Sequence, residues 1–335
     1  MLTNIRVLHF GLGPIGAAIV KQVATRAGFK IVGAVDIDAM KVGRDLGDVV
    51  GLNKRLGIKI SGDGAKTLKA TKPDVAVLCT SSSLKKVMPQ IEMILKSKTA
   101  IVSTTEELSY PEYTHIRQAR QIHDWAEKAK VAVLGTGVNP GFAMDALPIA
   151  LTAVCERVER IVVHRVQDAR IRRLPFQQKI GAGLTTEQFQ RKAHDGSVRH
   201  VGLTESIAMI ADALGWTLDR ITDDLQPKLA TVTISSEFLA VDPGYVCGII
   251  QDGVGYRKKA PVIRLHMEAY LGAPESYDSV DVEGSPKLSM KIAGGIHGDV
   301  ATASIVVNSI PKVLDAAPGL HTMRDLALPS FFPGR

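Results

Sequence analysis

Apolar and polar positions follow two distinct regimes along this chain. Residues 5–10, "IRVLHF", form a short apolar run that stops at "GLGPIG". The following "AAIVKQVATRAG" spaces its apolar residues at helical intervals, which predicts a helix closed by Gly28. "KIVGAVDID" predicts a second strand, so a strand–helix–strand unit opens the chain. Further apolar runs, "DVAVLCT", "AIVST" and "VAVLGTG", are separated by helical patterns over "SLKKVMPQIEMILKS" and over residues 112–129. Strands alternating with helices predict a parallel, doubly wound sheet. Later runs are longer and more alternating: "ERIVVHRVQDA", "KLATVTISSEFLAV", "YVCGIIQDGV", "APVIRLHMEAYL" and "DSVDVEG". Few helices separate them, the clearest over 203–214, which predicts a mainly antiparallel sheet with one face covered by helix. "ATASIVVNSIPKVLDAAPG" predicts a last helix that returns to pack on the first domain. The expected organisation is an α/β domain over 1–145, an α+β domain over 146–300, and a C-terminal helix and tail over 301–335.

Composition narrows the classes of function. With 335 residues, 45% hydrophobic and 22% charged, the chain is long enough for two separate cores. The net charge of +7 is scattered, without a basic run of five, and only 5% of residues are aromatic. That argues against nucleic acid and fits anionic cofactors or substrates. No run approaches the ~18 apolar residues of a membrane span. "MLTNIRVLHFG" enters a strand at once, leaving no room for a signal peptide, so the reading is a soluble, cytoplasmic protein. Cys79, Cys155 and Cys247 lie far apart in apolar stretches and are expected as buried small hydrophobes, not metal ligands or disulfide partners.

"GLGPIG" supplies Gly11, Gly13 and Gly16, with Pro14 and Ile15 between the last two. The G-x-G-x-x-G spacing follows a strand and opens a helix, the context that a dinucleotide pyrophosphate requires. The first glycine makes the turn, the second admits the pyrophosphate, and the third lets helix and sheet close up. Asp36 ends the second strand, where it can accept hydrogen bonds from the adenosine ribose and repel a 2′-phosphate. NAD is expected over NADP, although Lys41 and Arg44 are near enough in sequence to blur the preference. "CTSSS", "STTEE" and "GTGVNPGF" fall at the ends of the other parallel strands, so Ser81, Ser82 and Thr104 can line the cofactor. Asn139 either caps a helix with Pro140 at its first position or faces a nicotinamide carboxamide.

Adjacent acids, Glu106 and Glu107, follow the strand "AIVST". Beside a nicotinamide, a partly buried carboxylate can take a proton from an ammonium group and then activate water against the imine. Alternatively both acids form the first turn of the next helix and complement its dipole.

"GLGPIG", "VDIDAMKVGRDLG", "TSSSL", "VSTTEELSYP", "LGTGVNPGFAMDALP", "RRLPFQQKIGAGLT", "HVGLTESIAMIADALGW", "HGDVATASIVVNSIP" and "PGLHTMRDL" together resemble the 2,4-diaminopentanoate dehydrogenase family over essentially the whole chain. This family also embraces native amine dehydrogenases, and its first domain is similar to that of dihydrodipicolinate reductases. The resemblance implies a Rossmann-type doubly wound sheet plus a substrate-binding and dimerisation domain. It implies oxidative deamination of 2,4-diaminopentanoate or a 4-aminopentanoate-like amine, and reductive amination of ketones with ammonia. NAD(H) is the expected cofactor, with NADP(H) as a second option, and the partner is a second copy in a homodimer pairing through the second-domain sheet. It implies a glutamate of "TEE" as acid–base, Glu106 first and Glu107 second. A carboxylate-bearing substrate needs a cation, and "HRVQDARIRRLPFQQKIG" offers Arg165, Arg170, Arg172, Arg173 and Lys179. Arg172 and Arg173 are favoured. His297 and Thr302 precede the returning helix as polar candidates; Phe142 and Met144 would furnish apolar wall; His200 and His266 carry less weight. The alternatives are a broad amine dehydrogenase on substrates lacking a carboxylate, an imine reductase like dihydrodipicolinate reductase, and a non-catalytic dinucleotide sensor.

Overall fold

The computed structural model describes residues 4–333. Strand β1 (Ile5–Phe10) leads into helix α1 (Pro14–Thr25) and β2 (Phe29–Val35), followed by the short α2 (Leu46–Val50) and α3 (Gly64–Thr71). Then come β3 (Val75–Leu78), α4 (Leu84–Lys96), β4 (Ala100–Ser103), α5 (Ile116–Ala129), β5 (Ala132–Gly135) and α6 (Ala146–Leu151). The long β6 (Arg157–Asp168) is followed by α7 (Leu174–Lys179), α8 (Thr186–His194) and α9 (Leu203–Ala213). Strands β7 (Arg220–Leu229), β8 (Ile234–Ser235), β9 (Ala240–Val241), β10 (Val246–Arg257), β11 (Ala260–Tyr270), β12 (Tyr277–Ser285) and β13 (Leu288–Ala293) precede α10 (Gly298–Leu314) and β14 (Gly319–His321). The chain divides into two compact units, residues 1–142 with 298–335, and residues 143–297.

The first unit holds a six-stranded parallel sheet in the order β2-β1-β3-β4-β5-β14. Its strands are short and apolar throughout because helices cover both faces. One face receives Leu84, Val87, Ile91 and Ile94 of α4, spaced three and four apart, with Ala119 and Ile122 of α5. α10 returns to this unit and packs on α1 and β4, with Gln22 Nε2 donating to Ser304 Oγ at 3.0 Å. The strand order reverses between β1 and β3, the point at which such sheets collect ligands beyond their carboxyl ends.

In the second unit the order is β13-β12-β6-β11-β10-β7, antiparallel except for the parallel pair β6 and β11. α9 lies along one face: any Cβ at Gly253 would sit 2.8 Å from Ile207. Asp145, fully buried, caps α6 through the Ala146 N–H and accepts the Ser206 hydroxyl of α9 at 2.7 Å.

Several local expectations are corrected. "KLATVTISSEFLAV" is not one strand but the end of β7 and the small hairpin β8–β9. β7, RITDDLQPKL, is mostly polar and carries Pro227 near its end, which an edge strand tolerates. α1 ends at Thr25, with Arg26 already extended; Gly28 (φ 76°) serves only the turn into β2. α5 begins at Ile116, not at 112, after the broken segment that carries the acids. Only Cys247 is buried; Cys79 and Cys155 are half-buried, and all three are unpaired.

Gly135 decides where that segment lies. A Cβ there would stand 2.4 Å from the Leu108 carbonyl oxygen, so only glycine lets the two backbones meet. Gly135→Ala should cost about 1–3 kcal/mol, the usual penalty for overpacking, read as a lower urea midpoint.

Candidate active site

The three glycines of the first turn have separable roles. Gly11 has φ +86°, and a Cβ there would lie 2.6 Å from the Cys79 carbonyl oxygen. A Cβ on Gly16 would lie 2.1 Å from the Gly11 carbonyl oxygen. Both positions are closed to any side chain. Gly13 has nothing within 4 Å of its Cβ position. It begins α1, whose N-terminus has no side-chain cap and carries Pro14 in its first turn, with Ile15 half-buried behind it. An open cradle over an uncapped helix N-terminus suits an anion. The residues present fit a dinucleotide pyrophosphate.

Asp36 sits one residue past β2. Its Oδ2 accepts the Leu12 N–H at 2.8 Å and lies 3.2 Å from Lys41 Nζ, while Oδ1 accepts the Asp38 N–H at 2.9 Å. Desolvation raises its pKa, but the backbone N–H groups and Lys41 outweigh that and hold it below the usual carboxylate range. Arg44 turns away, donating to the Met40 carbonyl.

The loops after β3 and β4 are laced together. Thr105 Oγ1 donates to the Ser81 carbonyl at 2.8 Å, and Ser81 Oγ accepts the Ser83 N–H. Thr104 donates its N–H to the Leu78 carbonyl; Thr104, Ser81 and Ser82 are all half-buried. Glu106 and Glu107 open a single 3₁₀ turn, Glu106–Leu108, rather than the next α-helix. Glu107 Oε2 accepts the Leu84 N–H at 2.7 Å and lies 3.2 Å from His115 Nε2. It thereby caps α4, whose N-cap Ser83 makes no side-chain bond, and complements the helix dipole. Glu106 is half-buried on the same turn.

After β5 the chain does not enter a helix at Pro140. Gly141 has φ +126°, which no helix accommodates, and α6 opens only at Ala146 with Asp145 as its cap. Asn139 is therefore not an N-cap; it is half-buried in the loop, while Phe142 is half-buried and Met144 fully buried. Thr302 lies inside α10, not before it, and its Oγ1 accepts the Val138 N–H at 3.4 Å. His297 does precede α10 and is exposed.

The second unit sorts the arginines. Arg170 is exposed and tied to Asp168. Arg165 is 2% exposed; its Nη1 meets Asp278 at 2.5 Å and its Nη2 donates to the Ile296 carbonyl. Burial pulls its pKa down, opposed by Asp278. Gln167 donates to the same carbonyl and accepts from Arg172 Nη1 at 2.8 Å. Arg172, buried, lies 3.9 Å over the Phe176 ring. Gln167 and Asp278 escaped sequence reasoning, since a glutamine and an aspartate on alternating strands carry no motif. Arg173 is the half-buried N-cap of α7. Burial pushes His200 down to about 3, so it stays neutral at ordinary pH, and its backbone is clasped by Gln251.

Residues 142–334 match the family model described as "2,4-diaminopentanoate dehydrogenase C-terminal domain". Residues 5–133 match "Dihydrodipicolinate reductase, N-terminus". A 2,4-diaminopentanoate dehydrogenase of Acetoanaerobium sticklandii is 32% identical, covering 99% of this chain and 96% of that protein. An amine dehydrogenase of Streptomyces virginiae is 24% identical over 97% of this chain and 96% of its own length. The solved structure of an amine dehydrogenase from Mycobacterium smegmatis shares the fold, with a TM-score of 0.88 at 24% identity over 99% of this chain and 98% of that one. With a family model matched over more than half its length and a relative 32% identical over nearly all of it, the chain belongs to the 2,4-diaminopentanoate dehydrogenase family.

Proposed function

We propose that this chain is an NAD(P)-dependent amine dehydrogenase acting on 2,4-diaminopentanoate or a 4-aminopentanoate-like amine, and in reverse on the ketone with ammonia. One observation supports the assignment of roles: Glu107 caps α4 and lies beside His115, a structural task of its own, and in this reading Glu106, half-buried on the same turn past β4, is the acid–base. When bound, the nicotinamide takes up or supplies the hydride. Glu106 first removes a proton from the substrate ammonium, so that nitrogen lone-pair density drives hydride loss and an iminium forms. Having released that first proton to solvent, the same carboxylate takes a proton from the water that attacks the iminium carbon and delivers it to the carbinolamine nitrogen, which leaves as ammonia while the hydroxyl proton is lost and the ketone forms. Gly11, Gly13, Gly16, Pro14 and Ile15 would hold the pyrophosphate, Asp36 the adenosine ribose, and Ser81, Ser82, Thr104 and Asn139 the remainder of the cofactor. Arg172, with Arg173, would clamp the substrate carboxylate, because a guanidinium already oriented by Gln167 and Phe176 loses little freedom on binding. Phe142, Met144, His297 and Thr302 complete the proposed substrate set.

Lys41 at the Asp36 carboxylate supports NAD(H) as preferred cofactor with NADP(H) tolerated: the acid serves the ribose hydroxyls, and the ammonium offsets repulsion of a 2′-phosphate. The working assembly in this reading is a homodimer through the second-unit sheet. A cytoplasmic location fits the three unpaired cysteines, and among the described residues no helix is long and apolar enough to cross a membrane.

Glu106→Gln should lower kcat about 10²–10⁴-fold with cofactor affinity nearly unchanged. Glu107→Gln should mainly lower the melting temperature; the reverse pattern would exchange the two roles. Asp36→Ala should weaken NAD more than NADP, and Lys41→Ala should do the opposite, both read by coenzyme titration; an unchanged ratio in both would remove the pair from cofactor selection. Arg172→Ala should raise KM for 4-oxo acids with ammonia, measured by NADH oxidation, while sparing simple ketones. Equal loss on both substrate classes, or equal wild-type activity on 2-aminoalkanes, would favour a broad amine dehydrogenase.

A further inference from the structure

A buried hydroxyl joins the turn that carries the acids to the loop after β3. Thr105 stands at the N-cap of the Glu106–Leu108 turn, yet its side chain makes no capping bond there. It is 1% exposed, and its Oγ1 donates instead to the Ser81 carbonyl at 2.8 Å, 24 positions away in sequence. Ser103, fully buried at the end of β4, holds Thr105 from the other side. Its Oγ accepts the Thr105 N–H at 3.2 Å, lies 3.0 Å from Thr105 Oγ1 and donates to the Leu78 carbonyl at 2.9 Å. Farther along the turn, the Glu107 N–H donates to the Ser82 carbonyl at 3.3 Å, and the Glu107 carboxylate accepts the Leu84 N–H at 2.7 Å. Three successive peptide units, from Ser81 to Leu84, thus bond to the acid-bearing turn.

We propose that Thr105 is a positioning residue for the reaction: its hydroxyl sets the acid-bearing turn against the loop that holds the cofactor. The proposal rests on the reading of Glu106 as the acid–base and adds what keeps that carboxylate in place. Glu106 is the next residue, its Cα about 3.8 Å from that of Thr105, so it inherits any displacement there. The peptide that receives the hydroxyl joins Ser81 to Ser82, both in the proposed cofactor set. One bond therefore connects the support of the proton acceptor to the support of the hydride acceptor. Proton and hydride transfer both demand close placement, and a shift of about 1 Å can cost about 10²-fold in rate. Thr105 ties the turn at its entry, ahead of Glu106, whereas the other two ties fall after it, on Glu107. Valine has the shape of threonine but leaves the Ser81 carbonyl short of this donor, and the two loops must shift to replace it. Serine keeps the donor and gives up only a methyl group.

The test follows reductive amination of 4-oxopentanoate with ammonia by NADH oxidation, on the full-length chain. Thr105→Val should lower kcat at least about 10-fold, while KM for the oxo acid and the NADH dissociation constant change less than about 3-fold. Thr105→Ser should stay within about 3-fold of the wild-type kcat. Thr105→Ala, which relieves any crowding that valine introduces, should repeat the loss and serves in its place if the valine variant does not fold. In the Glu106→Gln background, Thr105→Val should bring less than about 2-fold further loss, because a residue that acts through Glu106 then has nothing left to position. A purely structural hydroxyl would instead lower the melting temperature and subtract equally in both backgrounds. Wild-type kcat in the valine or alanine variant, an equal loss in the serine variant, or the same loss in the Glu106→Gln background would overturn the positioning role. A wild-type kcat in Glu106→Gln alone would remove the acid–base reading beneath it.

Discussion

Two close backbone approaches at the carboxyl ends of parallel strands set the geometry of the first unit. At one, the Gly11 turn lies against the Cys79 carbonyl and beneath the start of α1; at the other, the Leu108 carbonyl lies against Gly135. No side chain fits at Gly11, Gly16 or Gly135, so each contact is van der Waals contact of main chain with main chain. Main chain is the least adaptable part of a protein, and these contacts therefore fix the cradle and the acid-bearing turn more firmly than side-chain packing could.

Charge is then placed on that rigid frame. Glu107 satisfies an otherwise uncapped helix N-terminus, and Asp36 accepts N–H groups from both the glycine turn and its own loop. In each case a carboxylate that would be costly to desolvate is retained because backbone donors replace the lost water. The same logic operates in the second unit, where Arg165 is buried only because Asp278 and the Ile296 carbonyl receive its protons. Arg172 inherits a fixed orientation from Gln167, next but one along β6 from Arg165.

The second sheet has a divided character. Its α9 face is mainly apolar but buries the Arg165–Asp278 pair and Gln251, whereas the other face mixes valines with a histidine pair and charges of both signs.

Much of this was legible in the sequence because it depends on local order. The alternation of short apolar runs with helical spacing determined the parallel sheet, and the glycine fingerprint marked the β1–α1 turn whose Leu12 N–H Asp36 receives. The run of motifs determined the family. Two features depended on contacts distant in sequence, and a third on a local backbone conformation. β14 is three residues long and gains strand character only by pairing with β5. That Glu107 caps α4 rests on Leu84 and His115, neither of which a window around "TEE" contains. Asn139 looked like a helix cap by its neighbours, yet Gly141 turns the backbone away and Asp145 takes that role. Periodicity reports which side of an element is buried; which group receives a given proton or charge is decided only when the chain has brought remote residues together.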